Sequence, residues 1–416
     1  MIRFARCRLI GVAALVVLLA SCGQGSTDVT PRLQWYVFDE PSGAFDAAAK
    51  RCSAAAHGAY RVETASLPAA SDQQREQLVR RLAAGDRDID IIGMDVIWTA
   101  EFAEAGWILP WSGEWAQSAK QGRLLPTVQS ALYEGKLWAV PFTSNTQLLW
   151  YRTDRVSEAP DTWDKMIRQA QALGENGIIQ VQGERYEGLT VFFISLLASA
   201  GGSVLDEQGQ SVSLDARATQ EALAIMRRLA RSSVTDQMLS TSREDEARLA
   251  FEAGGSSFMV NYTFVWPSAH SNTPQVAENM GWARWPSVQE DQPSRVAIGG
   301  INLGVSAHSR YPEFAFQAAL CIASESHQRL AAAQGGLPPT LEALYDDRQV
   351  RAVFPFADVL RETLKDGVQR PQSPLYSDIS LAISRTLHPM TNIDPQADVA
   401  RLRSAVARSL RSEGLF

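Results

Sequence analysis

The stretch that decides the fold is Tyr133–Tyr151, YEGKLWAVPFTSNTQLLWY. It reads as two apolar strands, Leu137–Val140 and Gln147–Tyr151, interrupted by Pro141 and the polar cluster Thr143-Ser144-Asn145-Thr146. Proline cannot donate to a central ladder, and a Ser/Thr/Asn cluster marks a bend. Two readings follow. Either the strands form an ordinary hairpin, or the chain leaves one lobe here and enters a second, so that the bend lines a cleft where a ligand could sit.

On the N-terminal side the pattern is βαβαβ. Leu33–Phe38 is a strand, the turn Asp39–Gly43 leads to a helix through Ala44–Ala56, and Tyr60–Ala65 is a second strand. Ser71 with Gln74 three residues on forms a capping box that opens a helix ending at Gly85, and Asp88–Met94 is a third strand. This order predicts a parallel, doubly wound sheet, with ligands off the carboxyl ends of its strands, at Asp39/Glu40 and at Asp95. On the other side, helices are expected at Trp163 (capped by Asp161 or Thr162), Gly188–Ala200, Ala218–Arg231 and Glu244–Glu252. The strand Ser257–Val260 delivers Asn261–Trp266 at its carboxyl end. Strands at Trp282–Trp285 and Val296–Val305, then helices at Pro312–Ser324 and His327–Gln334, complete a second α/β set. Beyond Gly335 the chain is mainly helical, interrupted by Arg370–Pro374.

The N-terminus carries Arg3, Arg6 and Arg8 before the apolar run Leu9–Leu19, which is too short to span a membrane. Leu19-Ala20-Ser21-Cys22 is similar to a bacterial lipobox. Residues 1–21 are therefore expected to be a signal peptide, Cys22 the lipidated first residue of the mature chain, and 22–31 a flexible tether. Net charge −7 and the lack of a basic cluster argue against nucleic acid, and 45% hydrophobic content supplies core for two lobes. Export permits a disulfide between Cys52 and Cys321, the pair left after Cys7 and Cys22; two buried thiols are the alternative.

No catalytic signature stands out. HExxH, Cys-x-x-Cys, GxSxG and Walker A motifs are absent, the histidines are scattered, and Gly299–Gly304 has the wrong spacing for a dinucleotide loop. No metal or cofactor is expected. A carboxylate pair for glycoside hydrolysis is invisible in sequence, so an exported glycosidase stays open. Residues at the expected strand ends and turns suit a neutral polyol: Asp39, Glu40, Asp95 and Glu252 accept from hydroxyls, Asn145 and Arg370 donate, and Trp266 offers an aromatic face.

LWAVPFTSNTQLLWYRTD (137–154), AFEAGGSSFMVNYTFVW (250–266), VAIGGINLGVSAHSRYPEFAFQAALCIAS (296–324) and RPQSPLYSDIS (370–380) carry a resemblance that covers the whole mature chain. The chain resembles the extracytoplasmic sugar-binding proteins of maltodextrin-type ABC importers, and within them the mycobacterial trehalose-binding lipoproteins. The resemblance implies a two-lobe periplasmic-binding-protein fold, each lobe a doubly wound sheet flanked by helices. Lobe 1 would take 32–142 and 286–330, lobe 2 143–285 and 331–416. Ligand contacts would fall on Asp95, Asn145, Glu252, Trp266, Gly336 and Arg370, with Asp39 or Glu40 in the first turn. It also implies a monomer tied to the outer face of the cytoplasmic membrane by its lipid. That monomer would close on a disaccharide, trehalose first and maltose or malto-oligosaccharides second, and deliver it to permease subunits driven by a cytoplasmic ATPase. No enzymatic activity is implied.

Overall fold

The computed structural model describes residues 30–68 and 70–413; the expected signal peptide and Cys22 lie outside them. Among the described residues eleven strands form two main sheets and one small ribbon. They are β1 (Arg32–Phe38), β2 (Arg61–Leu67), β3 (Ile91–Asp95), β4 (Leu132–Tyr133), β5 (Lys136–Leu137), β6 (Ala139–Asn145), β7 (Leu148–Arg152), β8 (Ile178–Gln180), β9 (Ser256–Asn261), β10 (Met280–Ala283) and β11 (Gly299–Val305). The first sheet runs β2-β1-β3-β11-β6 and the second β10-β7-β9-β8. β6 belongs to the first sheet and β7 to the second, with only Thr146 and Gln147 between them. The quoted stretch is a crossover, not a hairpin.

Two details of that stretch differ from the sequence reading. The polar residues Thr143, Ser144 and Asn145 do not bend but continue β6. Pro141 lies inside the strand, which it tolerates because β6 is the sheet's edge and the register with β11 shifts opposite it, at Ile301/Asn302. The first sheet is also not wholly parallel. β2-β1-β3 are parallel as expected, but β11, returning from the second lobe, is antiparallel to both β3 and β6.

The helix Ser71–Ala83 is not opened by a capping box: Ser71 is its first helical residue, and its hydroxyl reaches across to Asp95 Oδ2 at 3.3 Å. Thr162 does cap the helix Trp163–Ala172, accepting from Lys165 N.

Each sheet has its own core. Trp35, Ile91, Ile92, Phe102, Phe142 and Leu303 centre the first; Trp163, Phe192, Phe193, Met226, Phe258 and Trp285 centre the second. A third cluster of Trp150, Phe251, Tyr345, Phe354 and Phe356 lies with Leu124 and Ala332, tying the late helices to the crossings. Residues 286–297, expected to begin the return to lobe 1, remain on the second lobe. Trp285 packs edge-on against Trp163 at 4.9 Å, Ser287 N donates to Asp161 O, and the Ser195 and Ser199 hydroxyls accept from Ala297 N and Arg295 N. The chain re-enters the first sheet only at Gly299.

Cys52 and Cys321 are disulfide-bonded, with Cα atoms 5.9 Å apart, stapling the helix Ala44–Ala55 to Pro312–Ile322. His327 Nδ1 lies 2.8 Å from Cys321 O and 3.7 Å from Cys52 Sγ, but the two sulfurs are spent on each other rather than on a metal. Among the described residues no helix is long and apolar enough to cross a membrane.

Candidate functional site

β3 ends at Asp95, and β1 ends at the turn that holds Asp39 and Glu40. Glu40, after β1, accepts from Ser42 N at 2.9 Å, Ser42 Oγ at 2.6 Å and Ala44 N at 3.0 Å, which anchors the first turn of Ala44–Ala55. A Cβ placed on Gly335 would come 3.0 Å from Glu40 Oε1, so the end of the helix Glu325–Gly335 lies directly against it. Asp39 is exposed and takes only a 3.4 Å contact from Ser66 Oγ. Of the two residues left open by the sequence, Glu40 lies beside Gly336.

Gly336 ends that helix in a left-handed conformation, φ +63°, which glycine adopts without steric cost. Its carbonyl accepts from Thr263 Oγ1 at 3.3 Å, and its position faces Pro267, where an added Cβ would meet Pro267 Cγ at 3.5 Å. The loop after β9 therefore closes, next to Trp266, onto the end of a helix that packs on the first sheet's core through Ala331, although residues from 331 on were expected in lobe 2. Trp266, half-buried, is braced by Trp282 at 5.2 Å, Phe356 at 5.8 Å and Trp150 at 6.3 Å between ring centres.

Asp95 caps the single turn after β3, accepting from Ile97 N at 3.3 Å. Its Oδ1 also takes Arg370 Nη2 at 2.9 Å. Arg370 comes from the extended segment between the helices Ala357–Lys365 and Tyr376–Leu387, and its side chain is 6% exposed. Its other terminal nitrogen, Nη1, donates to Glu187 Oε1 at 2.9 Å, on the first residue of Glu187–Ser199 in lobe 2. Glu187 is completed by the Tyr376 hydroxyl on Oε1 at 2.5 Å and by the Ser380 hydroxyl on Oε2. One guanidinium thus bridges a carboxylate of each lobe, while its Nε is buried without a protein partner.

Asn145, at the end of β6, belongs to the same group. A Cβ on Gly299, its ladder partner, would lie 3.6 Å from both Asn145 Cβ and Arg370 Nη2. An added methyl at 299 would touch both in ordinary contact, which places Asn145 and Arg370 on either side of it.

Electrostatics follow from burial. Loss of water would lower the Arg370 pKa, but Asp95, Tyr376 and Glu187 outweigh it and hold the cation firmly charged. Burial pushes the Glu187 carboxyl above its ordinary range despite Arg370 and the two hydroxyls that favour its anion. Burial, with Glu187 nearby, likewise pushes the Tyr376 phenol well up. Tyr262, directly after β9, is raised by burial and by Glu244.

Glu252 is placed differently from the others. It is buried, and both its oxygens are occupied within lobe 2, Oε2 by Arg248 Nη1 at 2.9 Å and Oε1 by Ser268 Oγ at 2.7 Å. There it ties the helix Glu244–Glu252 to Val265–Asn272.

Sequence reasoning missed Glu187, Tyr376 and the crossover pair Thr146 and Gln147. Gln147 Nε2 donates to Gln182 Oε1 at 2.8 Å, and Gln182 Nε2 to Val260 O at 3.0 Å, yet Gln147 Oε1 and Thr146 Oγ1 are buried without a protein partner. An acid opening an apolar helix was the one signal for Glu187. A cavity of about 940 Å³ also lies between the lobes, bounded by Tyr133–Gly135, Gly201–Gln210 and Val368–Gln372; of the expected residues it shares only Arg370.

These features accord with what the chain is similar to. A probable ABC transporter-binding protein of Deinococcus radiodurans is 27% identical over 369 residues, covering 84% of this chain and 85% of its own. A mannitol-binding protein of Pseudomonas aeruginosa is 26% identical over 70% of each chain. The maltose-bound MalE3 of T. maritima superimposes with a TM-score of 0.79 at 27% identity, over 90% of this chain and 99% of that one. The signature of the bacterial extracellular solute-binding proteins matches residues 40–328, most of the chain, and with the two sheets, their short crossovers and the cleft between them it makes this protein a member of that family.

Proposed function

We propose that this protein captures a neutral disaccharide, trehalose before others, for an ABC sugar importer, holding it between the lobes and passing it to the permease. The carrying observation is the Arg370 Nε donor, buried at the lobe boundary without a protein partner. An orphaned buried donor costs about 1–3 kcal/mol, more when charged, and a ligand hydroxyl or acetal oxygen removes that cost. Gln147 Oε1 and Thr146 Oγ1 offer acceptors for a sugar hydroxyl in the same way. Asp95, Asn145, Gly336, Arg370, Trp266 and Glu40 would supply the first contacts. Glu252 would act through the packing of the Trp266 helix.

The experiment is a thermal-shift panel with trehalose, maltose, maltotriose, sucrose, glucose and glycerol phosphate, followed by calorimetry of any sugar that shifts the midpoint. Stabilisation by trehalose and not maltotriose is expected. Maltose or malto-oligosaccharide is the second reading, favoured by the maltose-bound MalE3 and by a maltotriose-binding relative in Pyrococcus abyssi. Silence across the panel refutes both. Glucose released from trehalose would replace a binding protein with a glycosidase.

The reading includes a monomer held at the membrane's outer face by a lipid on Cys22. Cys22→Ala should then shed the protein from cells into the medium; a variant that stays membrane-bound refutes the anchor.

A further inference from the structure

We infer that Glu187 is a positioning residue: it holds Arg370 across the lobe boundary, so that the Asp95–Arg370–Glu187 bridge latches the lobes together before any sugar arrives. This rests on the binding reading above for its purpose but not for its geometry.

The bridge is built from one element of each kind. Asp95 stands on lobe 1 at the end of β3, and Glu187 stands on lobe 2 at the N-terminus of a thirteen-residue helix, where the helix dipole favours a carboxylate. Arg370 spans them at 2.9 Å to each, using both ends of its planar fork, which lysine could not do. Glu187 is held by partners of its own. The Tyr376 hydroxyl shares Oε1 with Arg370 and the Ser380 hydroxyl takes Oε2, and Ser380 is fixed in turn by Thr190, whose Oγ1 lies 3.1 Å from Ser380 Oγ and donates to Ser380 O at 3.0 Å. Lobe 2 thereby presents a preset carboxylate, and Arg370 carries its orientation to Asp95.

The Arg370 segment is also held to lobe 1 away from the guanidinium. Gln369 Nε2 donates to Pro126 O at 2.7 Å, and Gln372 Nε2 to Gln129 O at 2.8 Å. Opening the cleft at Asp95 therefore breaks a charge-assisted pair where both lobes meet a single side chain. One N–H of each terminal nitrogen is taken by a carboxylate, Nε is the guanidinium nitrogen with no protein partner, and Glu187 fixes the plane in which it points.

The test contains no sugar, so its outcome is separate from that of the ligand panel. Small-angle scattering on the ligand-free chain would give the ratio of closed to open molecules for wild type, Glu187→Gln, Asp95→Asn and the double variant, with thermal denaturation alongside. Wild type is expected to be mostly closed. Each single variant should lower the closed-to-open ratio about tenfold, the effect of replacing a charged acceptor of the guanidinium by a neutral amide oxygen. The double variant should be no more open than the singles, because both act through Arg370. An open wild type overturns the latch. So does a Glu187→Gln protein that melts earlier but scatters as compactly as wild type, since that is a structural role only. If Glu187→Gln does not fold, Asp95→Asn decides from the lobe 1 side: unchanged compactness overturns the latch.

Discussion

Asp95→Ala tests the site where its geometry is plainest. The substitution removes the Arg370 Nη2 partner at 2.9 Å, the Ile97 N acceptor at 3.3 Å and the Ser71 hydroxyl contact at 3.3 Å. In the closed, sugar-bound form the guanidinium would then keep Glu187 but lose its lobe 1 partner. Truncating one side of a buried, hydrogen-bonded charge pair costs about 2–5 kcal/mol. Asp95 is 24% exposed on its side chain against 6% for Arg370, so water can replace part of what is lost, and the low end applies: about 2 kcal/mol. At about 1.4 kcal/mol per decade this is at most about a thirtyfold loss of sugar affinity, less to the extent that the pair already stands in the ligand-free closed form. Isothermal calorimetry with the best sugar of the panel would measure it. Circular dichroism should show an unchanged fold, because the three contacts lie at a strand end rather than in the core. Affinity within twofold of wild type would refute the reasoning, and would mean that neither Asp95 nor its hold on Arg370 contributes to the bound state.

Trp266→Ala should weaken sugar binding further and cost about 2 kcal/mol of stability, since a half-buried indole braced by Trp282 and Phe356 is lost; calorimetry and urea titration separate the two effects. Gly300→Ala should destabilise by about 3 kcal/mol in urea titration, because at φ +131° an added Cβ would stand 2.2 Å from Thr143 O, backbone that cannot yield cheaply. Replacing Cys52 and Cys321 together by alanine should cost about 2–5 kcal/mol in the same assay; a neutral result would mean that the first lobe's packing alone holds the helices Ala44–Ala55 and Pro312–Ile322. Glu187 gives a pH signature. Its carboxyl is raised in the folded state above the ordinary 4.5, so the folded protein holds that proton more tightly than the unfolded chain. Its contribution to stability is complete below about 4.5 and is lost as pH rises through the folded value. Glu187→Gln should remove that segment of the melting-temperature profile, and parallel profiles for the two proteins would refute the assignment.

Much of this was legible in the chain, and the limits have physical causes. The crossover was legible as one of two readings, because an apolar run, a polar interval and a second apolar run suit a hairpin as well as a crossing between lobes. Sequence alone could not choose between hairpin and crossover, since strand pairing is set by partners far away: β11 for β6, and β9 with β10 for β7. The same non-locality hid the antiparallel return of β11 and kept residues 286–297 on the second lobe, where Trp285 finds Trp163 and Phe192. The strand ends carry Asp95 and Asn145 to the neighbourhood of Arg370, because a side chain at the end of a strand is aimed before any helix forms. Glu252 fell at an equally suggestive turn, but Arg248 one helical turn back and Ser268 on the next helix engage both its oxygens. Glu187 was hard to single out for the opposite reason: its partners are 183, 189 and 193 residues away in sequence.

The charge balance at the lobe boundary bears on which solutes fit. Arg370 is already matched by Asp95 and Glu187, and Glu244 stands near Tyr262 with its own carboxyl raised, by burial first, above the ordinary range. A phosphorylated sugar would bring negative charge toward carboxylates in a cleft that sheds water on closing, where like charges repel most strongly. A neutral sugar meets the same groups as hydrogen-bond partners, accepting at Arg370 Nε and donating to Asp95 or Gln147 Oε1. Glycerol phosphate in the panel is therefore more than a control. Stabilisation by it, with none from neutral disaccharides, would require Arg370 to leave its carboxylates for the ligand, and would refute both the neutral-sugar reading and the arrangement of donors from which it was drawn.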